Sequence, residues 1–372
     1  MKLNYVAPCH FGLESVLKYE VSKIGGDDIK VSDGKVAFSG DLNILARANL
    51  GLRTAERVGI LLAAFKAYTF DQLFDNVYNI PFEEFVGKYD RFPNKGYSIN
   101  STLRSVPAIQ SIIKKAMAKR LGEKYKHNLL EETESLCQFQ FSIIKDEVSI
   151  ILDTSGDGLH KRGYRRKSGG APLKETLAAG IIDIARVREN DVICDPFCGS
   201  GTILIEAAYK AMNIAPGLSR RFSAQFHSYF PKEIWREEKA KALSEIRRDC
   251  DFQAYGYDIE QDMIDLSILN SRKAGVIKRI FFEKRSIDEF SYIEQPMKII
   301  ANPPYGERLL DINQAHEVYR VMGERLFPRG ENSVFIIAPD NDFEAIFSHK
   351  ANKNRKLYNG MIPCRLYSYF GN

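Results

Sequence analysis

The ten residues Asp195-Pro196-Phe197-Cys198-Gly199-Ser200-Gly201-Thr202-Ile203-Leu204, taken with Asn302-Pro303-Pro304-Tyr305, constrain the fold of this 372-residue chain more than any other part of it. An apolar strand, Val192 to Cys194, runs into a turn in which Gly199 and Gly201 let a ligand approach the backbone, and a helix follows. A second apolar strand, Lys298 to Ala301, carries an amide and an aromatic ring at its carboxyl end. In a doubly wound parallel sheet both carboxyl ends open on one crevice. That crevice suits one ligand under the glycine turn and a planar group against the second motif.

Alternation of strands and helices from Leu173 onward supports such a sheet. The expected strands are Val192 to Cys194, Ala254 to Asp258, Ile280 to Glu283, Lys298 to Ala301, Ser333 to Ala338 and Cys364 to Phe370. A helix opening at Pro172 carries Leu173, Leu177, Ile181 and Ile184 on one face. Upstream, the chain reads as a smaller α+β unit over residues 1–45. A second region, 46–157, then carries helices at Phe70 to Tyr78 and Ala108 to Lys124 and ends in a hairpin about Lys145-Asp146-Glu147. The boundary falls where Gly156, Gly158, Gly163, Gly169 and Gly170 interrupt regular structure. The long segment Ile214 to Asp251 holds the one tryptophan, Trp235, and its Lys, Arg and Glu content suggests a solvated helix in its second half.

With 44% hydrophobic residues, the chain can bury the cores of two or three domains. Its net charge of +5 is mild, so a polyanion would be met by local patches. Basic residues gather twice. Arg104, Lys114, Lys115, Lys119, Arg120, Lys124 and Lys126 oppose Glu123 alone, and Lys161, Arg162, Arg165, Arg166 and Lys167 meet no acid between His160 and Lys167. Phosphate is their natural partner, and Arg104, Lys114, Lys115, Lys119, Lys161, Arg162, Arg165 and Arg166 are the expected contacts to a nucleic-acid backbone. Arg220-Arg221-Phe222 is a further candidate. The six cysteines lack CxxC spacing and read as reduced thiols, with no metal site expected. No signal peptide or membrane span is expected, and the reading is cytoplasmic.

The glycine loop and Asn-Pro-Pro-Tyr, in this order, resemble motifs I and IV of class I S-adenosylmethionine methyltransferases that act on an exocyclic amine. Such a cofactor needs acceptors for a ribose, a slot for adenine and partners for its amino-acid end. Asp195 can face the ammonium, Asp258 can accept from the ribose hydroxyls, and Asp288 can accept from the adenine amine. The expected cofactor set is Ala171, Pro172, Leu173, Asp195, Pro196, Phe197, Gly199, Gly201, Thr202, Asp258, Ile259, Ser286, Ile287, Asp288 and Asn302. A base amine is a poor nucleophile because its lone pair is delocalised into the ring. Asn302 and Pro303 would accept its two hydrogens and aim the nitrogen, with Pro304 stiffening the turn and Tyr305 stacking on the base.

The match extends across nearly the whole chain. Leu52-Arg53-Thr54-Ala55-Glu56-Arg57-Val58, Leu159-His160-Lys161-Arg162-Gly163-Tyr164-Arg165 and Ala171-Pro172-Leu173-Lys174-Glu175 are similar to segments of THUMP-domain RNA methyltransferases. The branch is the bacterial one that makes N2-methylguanosine in large-subunit (23S) ribosomal RNA. This resemblance implies an α/β fold: a Rossmann-like class I methyltransferase domain with a mostly parallel doubly wound sheet (158–372), preceded by ferredoxin-like (1–45) and THUMP (46–157) α+β domains. It also implies S-adenosylmethionine as cofactor and ribosomal RNA, free or in an assembly intermediate, as the partner that the basic residues meet. The catalytic half is expected to be complete without residues 1–158. Because Asn-Pro-Pro-Tyr serves either amine, adenine-N6 methylation of DNA or RNA is the alternative; a non-catalytic RNA-binding assembly factor is a third reading.

Overall fold

The structure, a computed structural model, describes residues 2–127, 130–165, 173–227, 229–305, 312–339 and 342–371. The first half runs β1 (Leu3–Pro8), α1 (Glu14–Lys23), β2 (Asp27–Ser32), β3 (Lys35–Gly40), α2 (Leu42–Gly51), β4 (Gly59–Lys66), α3 (Phe70–Tyr78), β5 (Asn94–Ile99), α4 (Val106–Tyr125), β6 (Phe139–Ile144) and β7 (Glu147–Asp153). Local chemistry sets several of these boundaries. Asp41 and Thr69 accept from the backbone amides of Ile44 and Gln72 and cap α2 and α3, while Ser105 caps α4 with a proline in its first turn.

These strands form one sheet in the order β2-β3-β1-β4-β7-β6-β5 among the described residues. The unit expected to end at residue 45 therefore shares its sheet with residues 46–157. The junction is the short antiparallel pairing of Tyr5 with Ile60 and Val6 with Gly59. Helix α4 covers the sheet with Ile109, Ile113, Ala116, Met117 and Leu121.

The second half contains α5 (Glu175–Ile184), β8 (Val192–Asp195), α6 (Thr202–Ala211), α7 (Lys232–Ser244), β9 (Gln253–Asp258), α8 (Gln261–Lys273), β10 (Ile280–Lys284), β11 (Met297–Ala301), α9 (Ile312–Leu326), β12 (Ser333–Ala338), α10 (Phe343–Ile346), β13 (Lys353–Asn359) and β14 (Ile362–Phe370). Their order is β10-β9-β8-β11-β12-β14-β13. Pairings from β10 to β12 are parallel, and β14 runs antiparallel to both neighbours. The winding reverses between β8 and β11, which places a switch-point crevice at Asp195 and Asn302. Sequence reasoning missed β13, whose Lys353-Asn354-Arg355-Lys356 start lacks the apolar alternation of a half-buried strand.

The segment between α6 and β9 holds the expected helix as α7, exposed over most of its length but with Trp235 and Glu238 buried. The segment is also a clasp laid on the N-terminal core. Gly217 N donates to Leu50 O at 2.9 Å, and a Cβ at Gly217 would stand 2.8 Å from Leu50 Cα. Phe222, Ala224, Phe230 and Trp235 are buried with the N-terminal sheet residues, and the Trp235 ring stacks on Phe222 at 5.3 Å. On the next turn, Glu238 pairs with Arg47 of α2 at 2.7 Å. The second half is thus not self-contained, because part of its chain completes the core of the first half. Trp235→Ala should destabilise the whole chain by about 3 kcal/mol in a denaturant titration, as expected for truncating a buried aromatic. A loss below about 1 kcal/mol would show that the clasp is dispensable.

Candidate functional site

The turn after β8 is held open by backbone geometry. Gly199 and Gly201 have φ of 50° and 80°, a region L side chains rarely adopt. Cys198 N donates to Tyr257 O and Gly201 N to Cys198 O, both at 2.8 Å, so the loop is pinned to β9. A Cβ at Gly199 would meet nothing within 4 Å, whereas one at Gly201 would stand 3.1 Å from Ser267 Cβ. Gly199 thus borders open space, and Gly201 lets α6 pack on α8.

Two carboxylates flank this turn. Asp258 ends β9; its Oδ2 accepts from Gly199 N at 2.9 Å and its Oδ1 from Glu260 N at 3.0 Å. Burial raises its pKa against those amides. Asp195 is 1% exposed and accepts from Phe197 N at 3.0 Å, and burial pushes its carboxyl up to about 8, helped by the charge of Asp258. Pro196 is buried and Phe197 half-buried beside it. Beyond Asp258, Ile259 is 62% exposed. After β10, Ser286 donates to Asp288 Oδ2 at 2.9 Å, Ile287 is buried and the Asp288 side chain is exposed. The ends of β8, β9 and β10 therefore present a glycine turn, an exposed aliphatic side chain and carboxylates along one edge.

At the end of β11 the structure alters one expectation. Tyr305 is 8% exposed, with Cys364 Sγ 4.0 Å from its hydroxyl, so its ring is packed in the core and not displayed for stacking. Its hydroxyl donates to Asn302 Oδ1 at 2.6 Å. Pro303 is buried, and Pro304 O accepts from Tyr319 at 3.4 Å.

Several basic residues expected at RNA are committed inside the protein. Arg162 is 2% exposed; its guanidinium donates to Leu159 O and Arg53 O and lies 3.4 Å from Glu206. Phosphate cannot reach it. Arg165 donates to Leu173 O at 2.9 Å and Thr202 Oγ1 at 2.8 Å, and pairs with Glu175 at 2.8 Å. It ties α5 to the start of α6. Arg220 is spent on the carbonyls of Asp157, Gly158 and Lys161, and Phe222 is in the core. Lys114 sits 3.4 Å over the Phe92 ring and pairs with Glu132. Lys161 is exposed and pairs with Asp157. Arg104, Lys115 and Lys119 are exposed, the two lysines beside the Phe74 ring and Lys119 also 5.2 Å from that of Tyr78. Arg166, Ala171 and Pro172 lie outside the described residues.

Sequence reasoning did not assign the residue that joins these parts. Glu56 accepts from His10 at 3.1 Å, from Lys174 at 3.1 Å and from the Thr176 hydroxyl, with His160 Nδ1 3.6 Å away. Burial opposes its charge, but the hydrogen bonds from His10 and Thr176, with His160 close by, outweigh burial and hold its pKa well below the usual range. Three residues earlier, Arg53 donates to Tyr209 O and Ile214 O. A cleft of about 330 Å³ lined by Arg186, Asp191, Lys298 and Asn332 lies at the amino ends of the strands, the opposite end from Asp195 and Asn302. Among the described residues no cluster of His, Cys, Asp or Glu is placed to hold a metal ion, and no helix is long and apolar enough to cross a membrane.

Because Asp195 is protonated more readily in the folded chain than in the unfolded one, its contribution runs against the usual carboxylate. The Asp195 contribution to stability should be fully present below about pH 4 and fall as pH rises toward about 8, where the buried group must ionise. Asp195→Asn removes that slope. Chemical denaturation of both proteins at pH 5 and pH 8 should show the variant gaining relative to wild type at the higher pH, and a constant difference would refute the burial argument.

Comparison with known proteins agrees with this architecture. Residues 162–368 match the RMKL-like methyltransferase domain, and residues 4–59 match the RlmL ferredoxin-like domain. The chain is 38% identical to the putative RNA methyltransferase YpsC of Bacillus subtilis (strain 168), over 99% of this chain and 96% of that protein. It is 33% identical to ribosomal RNA large subunit methyltransferase K/L of Psychromonas ingrahamii, over 99% of this chain and 50% of that protein, so it spans half the length of that relative. Among solved structures, a putative methyltransferase, SMU.472, complexed with SAH superposes with a TM-score of 0.94 at 35% identity, covering 100% of this chain and 98% of that one. A predicted N6-adenine-specific DNA methylase from Listeria monocytogenes superposes with a TM-score of 0.94 at 40% identity, covering 100% and 97%. The chain belongs to the RMKL-like methyltransferase family and carries that family's ferredoxin-like domain at residues 4–59.

Proposed function

We propose that the protein transfers a methyl group from S-adenosylmethionine to the N2 amine of a guanine in large-subunit ribosomal RNA. The single observation that carries the methyl-transfer reading is the meeting of the Gly199–Gly201 turn, Asp258 and Asn302 at the switch point of one sheet. The residues fit the cofactor: Gly199 borders open space, Asp258 and Asp288 offer acceptor oxygens, and Ile259 is an apolar surface for adenine. When bound, S-adenosylmethionine supplies an electrophilic methyl group on a sulfonium.

The chain's own residues orient the acceptor. An amide oxygen has two acceptor sites. Tyr305 takes one and fixes the amide plane, which leaves the other for a hydrogen of the base amine. Pro303 O serves the second hydrogen. Held in this way, the nitrogen becomes pyramidal and its lone pair, withdrawn from the ring π system, points at the methyl carbon. The Tyr305 hydroxyl, rather than its ring, is the working part of that side chain.

The RNA reading draws on the names of the relatives and on the surface of residues 46–157, read as a THUMP domain. Arg104, Lys115 and Lys119 remain exposed there, the lysines beside the aromatic rings of α3. Cations interleaved with aromatics suit phosphate and unpaired bases. The relatives' names point to large-subunit ribosomal RNA and name no base; guanine over adenine rests on the resemblance of the sequence to the branch that makes N2-methylguanosine. An unpaired or flipped nucleotide is required, since a paired guanine keeps its amine in the minor groove.

Transfer of labelled methyl groups to large-subunit ribosomal RNA by the purified protein tests the proposal. Asn302→Ala should lower kcat by about a hundredfold with little change in cofactor affinity, as for loss of one preorganised polar group. Equal turnover would remove Asn302 from the mechanism. Tyr305→Phe keeps the ring and loses the hydroxyl, and should cost about tenfold in kcat, the value of one hydrogen bond; a silent substitution would restore a role for the ring. Asp258→Ala should weaken S-adenosylmethionine binding about tenfold to a hundredfold in calorimetry. Failure of the wild type to bind that cofactor would overturn the assignment.

A further inference from the structure

Strand β13 is the free edge of the second sheet, and its first four residues, Lys353-Asn354-Arg355-Lys356, are all exposed. Its far end reaches the acceptor side of the molecule. Tyr358 pairs with Pro363, and the next residue of β14, Cys364, lies 4.0 Å from the Tyr305 hydroxyl. Neighbouring strands are about 5 Å apart, so the Tyr358 backbone stands close to the Asn-Pro-Pro-Tyr turn. The hairpin tip between the strands carries Met361, 93% exposed.

The N-terminal half adds an aromatic ring to this edge. Phe11 is 55% exposed and meets Tyr358 edge-on at 6.0 Å and 65°. Lys356 Nζ stands 5.5 Å from the centre of the Tyr358 ring. The loop carrying Phe11 is fixed. Glu14 accepts from Gly12 N at 2.9 Å and Gly34 N at 3.0 Å, Arg355 donates to Gly12 O at 3.4 Å, and a Cβ at Gly12 would stand 2.4 Å from Lys356 O. The nearby carboxylate of Glu14 is thus engaged with backbone amides, and the exposed charge along β13 is positive.

We infer that β13 and Phe11 form a second RNA-binding element, which holds the unpaired nucleotides next to the target base as it enters the acceptor site. Lys353, Arg355 and Lys356 meet phosphates, and one flanking base stacks on Phe11 and Tyr358. A single strand has both features, negative charge along its backbone and flat apolar faces on its bases. Lysines on an edge strand also deter pairing with another chain, but that role leaves the fixed, exposed Phe11 and Met361 without a use. The inference rests on RNA as substrate, and it adds contacts supplied by the catalytic half and the N-terminal loop to those of α3 and α4.

Full-length wild type, Phe11→Ala and the double variant Lys353→Ala/Lys356→Ala are titrated with a large-subunit ribosomal RNA transcript over a range of salt, and S-adenosylmethionine binding is measured alongside. Phe11→Ala should weaken RNA binding about tenfold, the loss of one stacked base. The double variant should weaken binding and reduce the slope of log affinity against log salt by about 2. Cofactor affinity should stay at the wild-type value in both. Unchanged RNA affinity and slope in variants that bind cofactor normally overturn the element while leaving the RNA reading intact. Concentration-dependent association of the double variant with unchanged RNA affinity assigns the lysines to edge protection and also overturns it. Absence of salt-dependent RNA binding by the wild type overturns both readings.

Discussion

The carboxylate of Glu56 is the contact on which the relation between the two halves depends. It gathers His10 from the loop after β1, His160 from the connecting segment, and Lys174 and Thr176 from the start of α5. A charge in such surroundings is costly unless every neighbour is in place, so the arrangement specifies one mutual position rather than adding bulk stability. The effect is passed on. Glu175, between Lys174 and Thr176, pairs with Arg165, and Arg165 donates to Thr202 at the first residue of α6, directly after the glycine turn. A residue of the N-terminal half thereby fixes the wall of the crevice at the end of β8. Trp235 makes the same connection in the other direction, from the catalytic half into the N-terminal core.

This coupling gives the site its form. Asp195 is buried, and burial keeps its carboxyl protonated more readily than a solvated one. Asp258 spends one lone pair of each oxygen on backbone amides and so has a defined direction before any ligand is present. Asn302 is oriented by Tyr305 in the same sense. Each of these polar groups is aimed by a neighbour rather than by a ligand, the preorganisation that lowers the cost of reaching a transition state.

Much of this was legible in the sequence. Helix α3 and strand β12 fall where periodicity places them, and the glycine turn and Asn-Pro-Pro-Tyr fall at the carboxyl ends of β8 and β11. Apolar alternation and positive-φ glycines are local properties, and a sequence displays them. What it did not display was the destination of charge. Arg162, Arg165 and Arg220 look like Arg104 in a run of basic residues, yet they are spent on carbonyls, a hydroxyl and carboxylates mostly distant in sequence. Trp235 lies in a charged segment whose apolar partner, Phe222, comes before the helix that carries it, and whose shared core belongs to strands far upstream. Strand β13 escaped notice for the opposite reason, since an edge with water on its outer side needs no apolar alternation at its start. The Leu52 to Val58 run was visible as a pattern, but only the fold reveals that Arg53 and Glu56 point across the junction.

The central claim is the proposal that the N2 amine of a guanine in RNA is the acceptor, held by Asn302 at the switch point of the second sheet. Nucleosides from large-subunit ribosomal RNA, digested after incubation with the purified protein and S-adenosylmethionine, decide it by mass spectrometry. The predicted product is N2-methylguanosine with the wild-type protein, lost with Asn302→Ala. N6-methyladenosine as the sole product, or no methylated nucleoside from RNA while DNA is modified, would contradict it.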